Sequence, residues 1–99
     1  MIITNEPGFY KANEFGIRIE NILAVKSSLN EKFLEFENLT MVPYCAQLIQ
    51  KSLLEQRHKD LISDYYQQVS SSVYPILQEQ KDDLALKYLD EQVKFWYSL

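Results

Sequence analysis

Apolar and polar residues alternate along the first quarter of the chain. The segment from Ile2 to Glu6 is short and β-branched, and the Pro7-Gly8 pair that follows predicts a strand that ends in a turn. From Phe15 to Val25 every second residue is apolar except Asn21, which predicts a second strand. We therefore expect a β-hairpin whose loop runs from Pro7 to Glu14.

A third strand is expected after a polar loop at residues 27–31. The segment from Phe33 to Pro43 alternates in places, which predicts a short strand that ends at the proline. Glu35 and Glu37 fall on one face of it, which is most simply a solvated strand face. Thr40 is expected inside this strand because of its β-propensity.

The spacing of apolar residues changes from two to three and four near Ser52. It predicts an amphipathic helix from about Leu54 to about Ser71, with Ser52 as the N-cap and Glu55 completing a capping box. Pro75 is expected to break or kink the helix. A further helix is predicted from Glu79 to Trp96.

These elements indicate an α+β fold, with a β-hairpin and a short strand followed by two or three helices. We assign residues 1–45 to the strands and residues 46–99 to a helical extension of the same domain. A sheet of two or three strands leaves unpaired edges, so we expect the chain to behave poorly as an isolated monomer.

Composition narrows the possible functions. The 99 residues are 46% hydrophobic, which is ample for a core, and the net charge of −4 disfavours binding to nucleic acid or to an anionic membrane. No apolar run approaches the length of a membrane span, and the N-terminus lacks the basic start of a signal peptide. The single cysteine, Cys45, favours a reducing, cytoplasmic compartment and is expected to be a core-facing thiol rather than a nucleophile. His58 is expected to be a packed histidine rather than a metal ligand.

Three charged side chains of the hairpin are candidates for a functional site. Arg18 and Glu20 point to the same side of their strand, and pairing can bring Glu6 to the same face. Two converging carboxylates beside an arginine suggest a site for a hard metal ion or an acid/base pair. An ordinary strand salt bridge between Arg18 and either glutamate is a commoner arrangement and remains an alternative.

Three sequence stretches resemble one known family. They are NEPGFY from Asn5 to Tyr10, FGIRIEN from Phe15 to Asn21, and FLEFENLTMVP from Phe33 to Pro43. Together they closely resemble the end of the catalytic domain of Xaa-Pro aminopeptidases, which are pita-bread metallopeptidases. The 14-residue separation of the two glutamates is similar to that of the three-domain members. The resemblance weakens beyond Pro43.

The resemblance implies an incomplete pita-bread catalytic domain and assigns roles to five residues. Glu20 would bridge two divalent metal ions, of which manganese is the favoured identity, and Glu6 would bind one of them. Arg18 would orient a neighbouring acidic ligand, and Tyr10 and Glu37 would lie at the rim of the substrate site. No catalytic residue is assigned within this chain.

The family's remaining ligands, two aspartates and a histidine, precede the first motif, and this chain begins five residues before Glu6. The chain is therefore expected to be the C-terminal part of a peptidase that releases an N-terminal residue preceding proline. It would lack activity alone and would need the upstream part of the enzyme as its partner.

The resemblance also implies a homodimer through the C-terminal helices, because the three-domain members are typically dimers. The last helix has aromatic residues of the kind that anchor interfaces, although packing within their own domain is the simpler explanation. These residues are Tyr88, Phe95, Trp96 and Tyr97. Two other interpretations remain open: a noncatalytic module for peptide binding or dimerisation, and a truncated gene remnant.

Overall fold

The computed structural model describes all 99 residues in two compact units, Met1–Thr40 and Met41–Leu99. The first unit contains only strands, and the second contains two helices preceded by two short 3₁₀ turns, Ala46–Leu48 and Lys51–Leu53. The strands are β1 (Ile2–Asn5), β2 (Gly8–Lys11), β3 (Phe15–Arg18), β4 (Asn21–Ser27) and β5 (Leu34–Asn38), and the helices are α1 (Gln56–Glu79) and α2 (Asp83–Ser98). The predicted α+β class is confirmed.

The predicted hairpin exists, but each of its strands is divided in two. β1 pairs with β4 and β2 pairs with β3, all antiparallel, while β5 adds to the other edge of β4. The turn expected at Pro7-Gly8 is wrong, because Gly8 begins β2 and has no positive φ. The expected loop from Pro7 to Glu14 is wrong for the same reason, since β2 occupies Gly8–Lys11. The chain reverses instead at Asn13, whose φ is 61°, and the Glu14 amide donates to the Lys11 carbonyl at 3.0 Å. Asparagine tolerates this left-handed conformation well.

The third strand is shorter than predicted. β5 ends at Asn38 rather than at Pro43, and Thr40 lies beyond its end. The role expected for Thr40 is therefore wrong, because its hydroxyl accepts a hydrogen bond from the Ile22 amide at 2.8 Å instead of serving as a strand residue. A side chain that bonds to backbone competes with a regular ladder, which is the local reason that pairing stops here.

An aromatic core stabilises the second unit. Trp96, Tyr66 and Val69 are fully buried. The Trp96 ring stacks on that of Tyr66 with centroids 5.8 Å apart, and its indole N–H donates to the Ser63 hydroxyl at 2.9 Å. Tyr66 donates to the Tyr44 carbonyl at 2.7 Å, and burial raises the pKa of this phenol well above its usual range. Each buried polar group thus has a partner, so the aromatic residues can be buried at low cost.

Lys51 closes the C-terminal end of α2. Its ammonium donates to the Trp96 carbonyl at 2.9 Å and lies 4.3 Å from the centre of the indole ring. A cation at a helix C-terminus satisfies carbonyls that have no partner within the helix and interacts favourably with the helix dipole. The same side chain therefore stabilises the helix end and the core residue beneath it.

The predicted helix boundaries need three corrections. Glu55, not Ser52, is the N-cap of α1, and the Ser52 hydroxyl accepts instead from the Gln50 side chain at 2.8 Å. Pro75 does not end the helix, which continues to Glu79, because neighbouring residues of the same helix pack on the core and outweigh the lost hydrogen bond. The second helix begins at Asp83, where the Asp82 carboxylate accepts from the Ala85 amide at 3.1 Å.

The core-facing thiol expected at Cys45 is also wrong. Cys45 is exposed, and its thiol lies 3.4 Å from the Gln47 side-chain oxygen. The core position belongs to Ala46, which is fully buried and whose amide donates to the Gln92 side chain at 2.9 Å.

The end of α1 provides a test of backbone strain. Lys81 has a φ of 56°, and the Asp82 amide donates to the Leu77 carbonyl at 3.0 Å, which is the pattern of a Schellman cap. Glycine adopts this conformation without steric cost, so Lys81→Gly should raise the free energy of unfolding by about 0.5–1 kcal/mol. Urea unfolding followed by the fluorescence of Trp96, the only tryptophan, measures the change.

The matched control is Gln68→Gly at an exposed position within α1, which should lower the same free energy by about 0.5–1 kcal/mol. A loss of stability in Lys81→Gly as large as that of the control would contradict the strain at Lys81.

Candidate metal centre

Glu6 and Glu20 lie where both strands of the hairpin are interrupted. In every residue pair of β1 with β4 and of β2 with β3, the two residue numbers add up to the same value, so one register continues through the gap. That register sets Glu6 directly opposite Glu20. The Ile19 amide donates to the Pro7 carbonyl at 3.1 Å within the gap, which keeps the two chains together there. Residues directly opposite each other point to the same face of an antiparallel pair, so both carboxylates share one face.

Arg18 lies beside this pair of carboxylates. Its Nη1 atom is 3.8 Å from the Glu6 carboxylate, and both side chains are about half exposed. The hydrogen bond to Tyr10 is the largest of the interactions that raise the pKa of Arg18, followed by the charges of Tyr10, Glu6 and, more weakly, Glu20. The guanidinium is thus within electrostatic reach of both glutamates and offsets their mutual repulsion.

Tyr10 holds the arginine in place. Its hydroxyl accepts from Nε and Nη2 of Arg18 at 2.9 and 2.7 Å. The phenol ring lies across both glycines of the chain: a Cβ on Gly16 would come within 2.6 Å of the ring carbon Cδ1, and one on Gly8 within 2.6 Å of the hydroxyl oxygen. The two glycines therefore leave the space in which the ring lies flat against the strands.

Sequence reasoning missed the contact between Tyr10 and Arg18. It placed Tyr10 at the rim of a substrate site, whereas in this chain the hydroxyl is directed to the guanidinium. A signal was available in the alternation, because Tyr10 and both glycines occupy the same alternate positions as Arg18 and Glu20. A large residue directly opposite a glycine, on a face that also has charged residues, predicts that the large side chain lies over the glycine.

The carboxylates of β5 are separate from this group. Glu37 pairs with Ala24 and Glu35 with Lys26, whose ammonium is 3.6 Å from the Glu35 carboxylate. Ala24 is four residues beyond Glu20 along the chain, so Glu37 lies on the same face but roughly 13 Å further along the sheet. The structure brings together Glu6, Glu20, Arg18 and Tyr10, and it leaves Glu37 outside.

The donor set fits a divalent metal ion only in part. Carboxylate oxygens are the ligands that Mn²⁺ and similar hard ions prefer. However, no group of three or more histidine, cysteine, aspartate or glutamate side chains in the chain could hold a metal ion, and His58 belongs to no such group. Two carboxylates with one arginine can contribute to a metal centre, but they do not complete one.

Comparison with known proteins identifies related sequences over nearly the whole chain. A family model described as the C-terminal region of peptidase M24 matches residues 32–95. Xaa-Pro aminopeptidase 1 of Dictyostelium discoideum is 36% identical over 95% of this chain, and Xaa-Pro aminopeptidase ApepP of Drosophila melanogaster is 37% identical over 95%. A putative Xaa-Pro aminopeptidase of Saccharomyces cerevisiae is 41% identical over 92%.

A solved structure shares the fold. It is described as an X-prolyl aminopeptidase from Caenorhabditis elegans, a cytosolic enzyme with a dinuclear active site, and it matches with a TM-score of 0.82 and 33% identity over 93% of this chain. This match confirms the pita-bread type of fold expected from the resemblance. The chain spans only 16% of that structure and 12–16% of the three relatives, so it corresponds to a small part of each.

The contact between Tyr10 and the glycines can be tested by a double-mutant cycle. Gly16→Ala should destabilise the hairpin by about 1–3 kcal/mol, because the new methyl group forces the ring of Tyr10 away. In a Tyr10→Ala background the same change should stabilise the strand by about 0.5–1 kcal/mol, because alanine loses less backbone entropy than glycine. Urea titrations that follow the amide NMR signals of β2 and β3 measure both effects.

Tyr10→Phe is the control background, since it keeps the ring and removes the hydroxyl. The cost of Gly16→Ala should persist there. Equal costs in the tyrosine and alanine backgrounds would show that the ring does not lie over Gly16.

Proposed function

The chain belongs to the family defined by the C-terminal region of M24 peptidases, and on that premise we propose that it forms the C-terminal part of the catalytic domain of an Xaa-Pro aminopeptidase. The observation that carries the proposal is the register that sets Glu6 opposite Glu20 on one face of the hairpin. The relatives over nearly its whole length are Xaa-Pro aminopeptidases, and the related solved structure is described as having a dinuclear active site.

In this proposal Glu6 and Glu20 are two ligands of a site for two divalent metal ions. Glu20 would contact both ions and Glu6 one of them, and an oxygen-rich ligand set favours manganese. When bound, such ions supply an activated water and polarise the carbonyl of the bond to be cleaved. Support comes from the shared face of the two carboxylates and from the hard-donor character of both side chains.

Arg18 and Tyr10 position the ligands rather than react. Arg18 lies 3.8 Å from Glu6 and counters the repulsion between the two carboxylates before any cation binds. Tyr10 accepts two hydrogen bonds from Arg18, which selects one orientation of a long side chain that would otherwise move freely. The ligand pair is thereby organised in advance, which lowers the entropic cost of binding a metal ion.

The remaining ligands would come from an upstream polypeptide. The exposed apolar residues of the strand unit support this partner, because Phe9, Phe15 and Phe36 are each more than half exposed and would be covered by a larger sheet. The substrate class, a peptide with proline in second position, follows from the names of the relatives. By itself the chain should release no residue from such a peptide.

A cytoplasmic location and a dimeric state belong to the same proposal. The related solved structure is described as a cytosolic enzyme, and neither helix of this chain combines the length and apolar character needed to cross a lipid bilayer. The dimer would use exposed aromatic residues of α2. Tyr88 and Tyr97 are about half exposed and Phe95 about one third, whereas Trp96 is buried in its own unit and is not available.

Metal binding by the assembled protein tests the proposal directly. The chain produced together with the polypeptide encoded upstream should bind two Mn²⁺ ions per complex in calorimetry and should cleave an Xaa-Pro peptide. Glu20→Gln should abolish cleavage and Glu6→Gln should weaken Mn²⁺ binding at least tenfold, because each removes a charged oxygen ligand. Glu35→Gln on β5 is the matched control and should leave both properties unchanged.

Cleavage by the 99-residue chain alone would contradict the need for an upstream partner. Peptide binding by the complex without any Mn²⁺ binding would instead favour the noncatalytic module.

The dimer can be tested by adding one negative charge to the exposed face of α2. Tyr88→Glu should raise the dimer dissociation constant of the assembled protein by at least tenfold, because a carboxylate would be buried without a partner in the interface. Gln78→Glu, an exposed change on α1 that adds the same charge, is the control. Sedimentation equilibrium measures both, and an unchanged dimer in Tyr88→Glu would place the interface elsewhere.

A further inference from the structure

A polar network joins the start of β4 to the end of β5, one residue after Glu20. Asn21 is buried, with 8% of its surface exposed, and its side-chain amide donates to the Asn38 side-chain oxygen at 2.8 Å. The side-chain amide of Asn38 in turn donates to the Thr40 carbonyl at 2.7 Å. The Thr40 hydroxyl accepts from the Ile22 amide at 2.8 Å. We call these residues, Asn21, Asn38 and Thr40, the β4–β5 network.

The network takes the place of the last pair of backbone hydrogen bonds that a regular β4–β5 ladder would have. β5 ends at Asn38, but the register continues as far as Leu39, whose amide donates to the Ile22 carbonyl at 2.8 Å. The Ile22 amide then bonds to the hydroxyl of Thr40 rather than to a backbone carbonyl of that segment. Both backbone groups of Ile22 are thus held by residues 39–40, although the strand pairing has ended.

Glu20 consequently lies between two points at which its backbone is held. On one side the Ile19 amide donates to the Pro7 carbonyl at 3.1 Å, and on the other Ile22 is bound by Leu39 and Thr40. Glu20 itself lies in neither β3 nor β4, so the register sets the face on which it lies, while its backbone conformation depends on the residues on either side. The backbone conformation at Glu20 decides where its side chain points. That conformation is set by the held residues on either side, Ile19 and Ile22.

We propose that Asn38 and Thr40 are positioning residues that direct the carboxylate of Glu20 toward the metal ions. This inference rests on the proposed function and deepens it, because it assigns a task at the metal centre to a segment that contributes no ligand. Asn38 keeps Asn21 buried on the opposite face from Glu20, and Thr40 holds Ile22. Asn21 also pairs with Asn5 of β1, so loss of either contact would leave this segment held from the β1 side alone and would misdirect the ligand. Outer partners of this kind change metal affinity by about 10–100-fold.

Thr40→Val is the variant that isolates the contact. It preserves the branched shape and removes the hydroxyl that accepts from Ile22. In the assembled protein, calorimetric titration should show Mn²⁺ binding at least tenfold weaker than in the wild type. Thr40→Ser keeps the hydroxyl and should restore the affinity to within about threefold, which a role in packing alone would not predict.

Thr4→Val is the matched control. Thr4 pairs with Ile22 from the other side, in β1, so the same chemical change is made on the opposite flank of the same residue. It should leave the affinity for Mn²⁺ unchanged. The KM for the peptide, measured at saturating Mn²⁺, should also remain unchanged in Thr40→Val, because the contact acts on the metal ligand and not on the substrate.

The outcomes separate the inference from the proposed function. Equal Mn²⁺ affinity in the wild type and Thr40→Val overturns the positioning role and leaves the metal centre intact. Equal weakening in Thr40→Val and Thr4→Val also overturns it, since a general loosening of the sheet would then be the cause. Failure of the wild-type complex to bind Mn²⁺ overturns the proposed function, and this inference with it. If Thr40→Val does not assemble, Asn38→Leu, which removes the side-chain oxygen that accepts from Asn21, replaces it in the same titration with the same expected loss.

Discussion

The register of one interrupted hairpin is the constraint on which the candidate centre depends. Because β1 with β4 and β2 with β3 share a single register, the residues in the gap are placed opposite each other without any pairing of their own. A shift by one residue would move either glutamate to the other face of the sheet. Pro7 lies inside the gap opposite Ile19, where its missing N–H leaves only the bond from the Ile19 amide to the Pro7 carbonyl. The strand pairing is therefore interrupted at the two residues that are proposed as metal ligands.

The repulsion between the two carboxylates in this gap is offset by a charged residue that neutral residues hold in place. Two carboxylates on one face repel each other, and Arg18 offsets that repulsion in the absence of a cation. A flexible arginine alone would not keep its charge in one place, but the phenol of Tyr10 accepts two of its hydrogen bonds and so restrains it. The ring can reach that position only because Gly8 and Gly16 have no side chains. The glycines of this chain thus serve a close approach between side chain and backbone rather than a turn.

The two units are stabilised differently, which is consistent with their proposed roles. The helical unit has its own aromatic core, in which the polar ends of Tyr66 and Trp96 have partners. The strand unit instead has many half-exposed apolar side chains, and its one buried residue is the polar Asn21, which is bonded to Asn38. Such a surface is expensive to leave in water, and its coverage by further chain would contribute the hydrophobic stabilisation that the unit lacks.

Alternation in the sequence was sufficient to predict strands where β1, β3, β4 and β5 lie, and the α+β class, because the side-chain period of a strand is two and that of a helix near 3.6. It did not predict β2, which lies in the segment expected to be a loop. The motifs were sufficient for the family. The sequence could not locate the turn at Asn13, the helical path through Pro75 or the exposure of Cys45, since each depends on contacts that outweigh local propensity. Only the tertiary structure decided that Tyr10 binds Arg18 and that Thr40 holds Ile22, because these partners are eight and eighteen residues apart and are brought together by the register.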